Sequence, residues 1–187
     1  VVKPMLRPFE LSQVQLNAPQ LQAAMQANRR YLLALDSDRL LHTWRLNAGL
    51  PSNAEPLGGW EAPTSEVRGH ILGYYLSACA LMYASTGHEP LKTKCAAIVD
   101  ELAKCQSALG KDGYLSAFPD SFFDRYEAER QVWSPFCTID KLMAGLFDQY
   151  RYCGNGRALD VLKGMAAYFK KRTDRFSFEQ MDRIIDR

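Results

Sequence analysis

An indole, a carboxylate, a guanidinium and an imidazole stand close together in this sequence. Trp60 and Glu61 lie in the run Gly58-Gly59-Trp60-Glu61-Ala62-Pro63, and Arg68 and His70 follow in Arg68-Gly69-His70. An indole face can stack on the apolar face of a sugar ring, and the three polar groups can hydrogen-bond its hydroxyls. The same residues also fit a purely structural role, a Trp-anchored loop closed by a Glu61–Arg68 ion pair across a helix start. Spacing leaves both readings open. A second segment, Asp112 to Pro119, opens on an Asp-Gly turn signal and carries Tyr114 and Phe118, which either line a cleft or pack the loop. Asp124, Arg125, Glu127 and Glu129 come next. Paired carboxylates are what glycoside hydrolysis requires, but acids this close in sequence are the usual mark of surface charge. His42 and His88 have no supporting constellation. There is no G-x-S-x-G elbow, H-E-x-x-H pair or phosphate loop with a following lysine. By residue type and spacing, the chain suggests a binding surface more strongly than a reaction.

The elements that must position these groups read as helical hairpins. Phe9, Leu11, Val14 and Leu16 alternate weakly, at most a short strand in an extended lead-in over residues 1–18. Pro19 opens a helical pattern with Leu21, Met25 and Leu32. Residues 47–63 hold enough glycine and proline to make a long structured loop. From Ser65 to Thr86 the spacing of Val67, Ile71, Tyr75, Cys79 and Met82 describes one apolar helix face, stopped by Gly87. Pro90 restarts a helix with Leu91, Cys95, Ile98, Leu102 and Cys105. Pro135 then opens another with Ile139, Leu142, Leu146 and Tyr150, stopped by Gly154 and followed by a partner with Leu159, Leu162, Met165 and Phe169. The offset of 67 residues between Gly87 and Gly154 also carries Ile98 onto Met165 and Leu102 onto Phe169. Repeated helix pairs bury their apolar faces only by stacking on neighbours. Ser177 and Gln180 form a capping box for a last helix with Met181, Ile184 and Ile185. Some five or six helices fall short of a closed double ring. The expectation is therefore an all-α, incomplete (α/α)6 toroid, with residues 1–187 the N-terminal portion of one domain that continues beyond Arg187.

Composition narrows the function classes. Lys and Arg total 23 against 21 Asp and Glu, a net charge of +2 that gives no case for nucleic acid or an anionic membrane as partner. The basic cluster Lys170-Lys171-Arg172 with Arg175 is offset by Asp174 and Glu179 and reads as a solvated helix end. No apolar run approaches a membrane span, and no secretory signal follows Val1, which leaves the compartment open. Five cysteines, an odd number without a C-x-x-C pair, argue against a disulfide framework or a self-contained zinc site. Cys79, Cys95 and Cys105 fall on apolar helix positions, where a thiol acts as a small hydrophobe.

Several ordered motifs together resemble one family. Asp38-Arg39-Leu40-Leu41, Ala48-Gly49-Leu50-Pro51, Gly58-Gly59-Trp60-Glu61 and Arg68-Gly69-His70 are similar to the β-L-arabinofuranosidase group of glycoside hydrolases, which includes families 127 and 146. Tyr75-Leu76-Ser77-Ala78, Leu81-Met82-Tyr83-Ala84, Asp112 to Pro119, Ala144-Gly145-Leu146 and Gly154-Asn155 continue the match in order. The resemblance implies a six-hairpin glycosidase toroid and retaining hydrolysis of terminal β-L-arabinofuranosides. It also implies a zinc-bound cysteine thiolate as nucleophile and a glutamate as acid/base, all in the second half of the toroid and none in this chain. Zinc would keep the sulfur deprotonated and ready to attack. What carries over here is pocket material: Trp60, Glu61, Arg68, His70, the Gly113-Tyr114 turn and Asp140, with His70 the foremost substrate contact. The family often has histidine where this chain has Tyr74 and Asp140, departures that bear on the exact sugar more than on the fold. The partners implied are a carbohydrate substrate and the remainder of the catalytic domain itself. Two other classes compete: a sugar epimerase of the α/α-toroid type, which generally needs two opposed acid/base groups, and a non-catalytic helical interaction module.

Overall fold

A computed structural model describes residues 8–185, and all its regular structure is helical. Eight α-helices are described: α1 (Pro19–Ala34), α2 (Ser37–Asn47), α3 (His70–Thr86), α4 (Glu89–Leu109), α5 (Ser121–Glu127), α6 (Pro135–Cys153), α7 (Gly156–Thr173) and α8 (Phe178–Ile185). Two more than the upper expectation appear because α1 and α2 are separate and because the acidic, aromatic stretch after Asp120 is itself helical. Asp36 makes the first division: its carboxylate accepts from the backbone N–H of Asp38 and Arg39, which starts a new helix rather than extending the old one. The weak alternation near the start forms no strand. Leu11–Gln13 is a single 3₁₀ turn.

The helices form two layers. α3 packs most extensively on α6 and also touches α1, while α4 packs on α2 and on α7. Each hairpin thus sends one helix to the layer α1–α3–α6 and the other to the layer α2–α4–α7. This stacking is the toroid-type arrangement expected, and the repeat is exact in its punctuation. Gly87 and Gly154 end α3 and α6 in the left-handed region (φ 66° and 69°), and each is followed two residues on by the next helix.

One detail of α3 departs from the single apolar face. The helix begins at His70, not Ser65, and buries His70, Leu72, Gly73, Tyr75, Leu76, Cys79, Ala80 and Met82, while Ile71 is exposed. A helix packed on several sides needs apolar or small residues around most of its circumference. Against α6 the approach is so close that a methyl group at Gly73 would lie 2.2 Å from the Lys141 backbone, and one at Gly145 2.4 Å from the Gly73 carbonyl oxygen. Gln149 of α6, wholly buried, donates to the Leu76 carbonyl at 2.8 Å, and Thr138 donates to Val67 at 3.1 Å. These contacts run in order along both helices, so α3 and α6 lie parallel with their N-termini at the same end.

The two long loops, residues 48–69 and 110–134, therefore meet at that end. Asn47 ties them by donating to the carbonyls of Ser116 and Phe118, at 3.0 and 2.9 Å. Arg39 holds the first loop through the Glu55 and Pro56 carbonyls. The basic cluster on α7 is not simply a solvated end: Arg172 is buried, bonded to Asp124 and, at 2.5 Å, to Glu127. Burial works against its charge, but those neighbouring carboxylates together outweigh it and hold the Arg172 pKa above its ordinary range. Asp124 and Glu127 are thus spent on an ion-pair network; surface charge, the expectation from their closeness in sequence, describes Asp124 but not Glu127, whose side chain is only 12% exposed.

Candidate functional site

The site is built where the loops meet the first turn of α3. Gly69 takes φ 96°, and a side chain there would collide with Ala117 at 2.6 Å and with the ring of buried Trp44. That left-handed turn swings the chain into α3 and leaves its first backbone N–H groups without helical partners. Glu61 answers them from across the loop. One carboxylate oxygen accepts from the Gly69 N–H at 2.7 Å, and the other from the Ile71 N–H at 3.0 Å. The negative charge also suits the positive end of the helix dipole.

His70 is held by the same carboxylate. Its Nδ1 lies 2.8 Å from Glu61 Oε1 and 2.9 Å from the Val67 carbonyl oxygen. Facing two acceptors, Nδ1 carries a proton, and in the neutral imidazole Nε2 is then the acceptor. Two aromatic rings flank this imidazole, and a third stands against one of them. Trp60 tilts over it with centroids 5.9 Å apart, Tyr74 meets it edge-on at 6.3 Å, and Trp133 stands edge-on to Trp60 at 5.7 Å and 85°. His70 is nearly covered, whereas Trp60 is 64% exposed. Beyond Tyr74, the Lys141 ammonium sits 5.6 Å from its ring centre and pairs with Asp140 at 2.7 Å.

The structure thus brings together Trp60, Glu61 and His70, and reaches Asp140 through Tyr74 and Lys141. In place of a Glu61–Arg68 ion pair, Glu61 meets His70, with Nδ1 2.8 Å from Oε1. Arg68 turns away to donate to the Ala117 and Ser65 carbonyls at 2.9 and 2.8 Å, and burial lowers its pKa from the ordinary value. Its guanidinium lies 5.4 Å from the Phe122 ring. Tyr114 is corrected more plainly: it is 0% exposed, its hydroxyl donates to the Phe118 carbonyl at 2.6 Å, and it packs the core against Phe123, Tyr168 and Phe169. The Asp112–Pro119 loop sends its aromatic inward because Gly113 lets the backbone meet Gly164 where any Cβ would clash.

Trp133 is the residue that sequence reasoning missed. A signal was present: a large aromatic immediately before the Ser134-Pro135 start of α6, in the same kind of loop as Trp60. A cavity of about 860 Å³ lies elsewhere, between residues 11–17, α1 and the far part of α3. Its lining holds no carboxylate or imidazole, so it supplies no acid/base chemistry. The histidines do not converge either, since His42 bonds Ser52 at 2.9 Å and His88 heads α4. Among the described residues no three His, Cys, Asp or Glu side chains come together as metal ligands. The residues here do not fit the zinc that the resemblance implies. Nor is any described helix long and apolar enough to cross a membrane.

Stacked helical hairpins thus gather their long loops, an aromatic rim and a fixed imidazole at one end of an all-α domain. Residues 13–187 match the family model described as beta-L-arabinofuranosidase, GH127 catalytic domain, and the chain belongs to that family of glycoside hydrolases. No curated protein matches the chain.

Proposed function

We propose that this chain forms the front part of the catalytic domain of a retaining glycoside hydrolase that releases terminal β-L-arabinofuranosyl units. His70 accepts a hydrogen bond from a sugar hydroxyl at Nε2, and the exposed Trp60 face stacks on the ring. The observation that carries this reading is the Glu61–His70–Val67 arrangement beneath Trp60. It keeps a proton on Nδ1 and fixes one ring orientation, so in the neutral ring the Nε2 acceptor is in place before the sugar arrives. Glu61 acts through His70, because both its oxygens are engaged by backbone N–H groups and the imidazole. Tyr74 and Asp140 shape the edge of the same site. The nucleophile and acid/base belong to residues beyond this chain, as do the zinc ligands. We assign none of Cys79, Cys95, Cys105, Cys137 or Cys153 to that chemistry.

In the full-length enzyme, Trp60→Ala or His70→Ala is expected to lower kcat/KM at least about tenfold, roughly 1.4 kcal/mol of transition-state binding. Unchanged kinetics with lowered thermal stability would make both residues structural and refute the assignment.

A further inference from the structure

We infer that a second sugar-binding subsite adjoins the first, in the cleft that Trp133 shares with the segment leading into α6. This inference rests on the carbohydrate reading of the Trp60–His70 rim and names where the next ring of the substrate sits. The cleft has a volume of about 390 Å³ and is lined by Tyr126, Arg130, Gln131, Val132, Trp133 and Ile184, among others. That volume falls within the range of small-ligand pockets, roughly 300–1,000 Å³.

Three features favour a sugar ring as its occupant. The first is composition. Val132 and Ile184 are buried and give an apolar floor, while Arg130 and Gln131 are exposed and supply guanidinium and amide groups at the edge. A ring with one apolar face and a fringe of hydroxyls matches that distribution. Glu129 and Arg130 bring opposite charges to the lining, so a neutral ligand suits it better than an anion or a cation.

The second feature is the geometry of the two tryptophans. At 85° to one another the two rings meet edge to face rather than stacked, and both keep about half or more of their surface exposed. A stack on Trp60 and a stack on Trp133 would turn the chain of a short glycan through a right angle between adjacent units.

The third is that the cleft wall is fixed. Glu66 accepts from the Trp133 backbone N–H at 2.9 Å with one oxygen and from Arg125 at 3.0 Å with the other. Arg125 in turn donates to the Gln131 carbonyl at 2.8 Å. Ser134 adopts a left-handed conformation (φ 44°), which is uncommon outside glycine and holds Trp133 at the turn into α6. A wall already ordered in the free protein costs little conformational entropy when a ligand binds. Glu66 is therefore a positioning residue for Trp133.

The test compares two substrates in the full-length enzyme, methyl β-L-arabinofuranoside and a disaccharide with the same terminal β-L-arabinofuranosyl unit. The unaltered enzyme is expected to prefer the disaccharide in kcat/KM. Trp133→Ala and, separately, Arg130→Ala plus Gln131→Ala should cut that preference at least about fivefold, chiefly through KM. Trp133→Phe should restore most of it. His70→Ala should lower both substrates together and leave the preference in place. A preference that survives both cleft variants, or is absent from the unaltered enzyme while both substrates are cleaved, overturns the second subsite alone. If neither substrate is cleaved or bound, the arabinofuranoside reading fails and takes the subsite with it.

Discussion

Glu61→Gln isolates what the buried carboxylate does, because the side chain keeps its size and loses only charge and one acceptor. In the unaltered protein one oxygen serves the Gly69 N–H and the other serves both the Ile71 N–H and the His70 imidazole. Glutamine has one oxygen to offer. If that oxygen faces Ile71 and His70, the amide NH₂ confronts the Gly69 N–H, donor against donor. If the amide flips, it confronts the Ile71 N–H and drives the proton off His70 Nδ1, which then loses its bond to the Val67 carbonyl. Either way at least one buried donor is orphaned, at about 1–3 kcal/mol. Loss of the charge at the start of α3 adds roughly 0.3–1 kcal/mol. The sum is about 1.3–4 kcal/mol, which for a chain of this size lowers Tm by roughly 3–16 °C at about 2–4 °C per kcal/mol.

The assay is thermal unfolding followed by far-ultraviolet circular dichroism, paired with kcat/KM on methyl β-L-arabinofuranoside in the full-length enzyme. Activity should fall at least about tenfold, because His70 loses the carboxylate charge that supports it in one arrangement and its Nδ1 proton in the other. In a double-mutant cycle with His70→Ala, the two losses should be coupled by at least about 1 kcal/mol. A Tm within about 1 °C of the unaltered protein, with additive kinetic effects, would refute the claim that Glu61 works through His70.

Two further outcomes follow from the packing. Gly73→Ala places a methyl group 2.2 Å from the Lys141 backbone, so α3 and α6 must separate. Destabilisation of about 3 kcal/mol or more, or failure to fold, is expected in chemical denaturation, and a stability change under about 1 kcal/mol would contradict the close crossing. The thiols give a pH test. Burial pushes Cys105 and Cys153 up to about 11, so both favour the protonated form when folded. Their contribution to stability is complete below the unfolded value near 9 and is lost as pH rises through about 11. A stability series from pH 8 to 11 should therefore fall, and native-state alkylation at neutral pH should modify exposed Cys137 well ahead of the four buried cysteines. Comparable labelling of all five would show that the helix layers open readily.

What was legible in the sequence was the part encoded locally. Gly87 and Gly154 stop their helices because a left-handed residue is demanded there whatever packs around it, and Pro90 and Pro135 lie in the first turns of α4 and α6 for an equally local reason. The capping box at Ser177 and Gln180 also forms, with the Ser177 N–H donating to Gln180 Oε1 at 2.7 Å. What resisted reading depends on partners distant in the chain. Arg68 could be matched to Glu61 by proximity, but besides the nearby Ser65 carbonyl it bonds Ala117, which arrives from a separate loop. Tyr114 shows the same limit: nothing in Asp112-Gly113-Tyr114 says whether the ring faces solvent until Gly113 meets Gly164 on α7.

The candidate site lies between these extremes, and its own residues show why. His70 was singled out for its type, and its environment was then decided by a carboxylate close enough in sequence to be considered with it. Trp133 belongs to the same aromatic cluster but enters from the loop before α6. Its meeting with Trp60 follows from the parallel approach of α3 and α6, which in turn needs Gly73 and Gly145 to lack side chains. Those glycines look like weak points in two helices when each is read alone. Placed face to face, they are what brings the two loops, and with them the two tryptophans, to one rim.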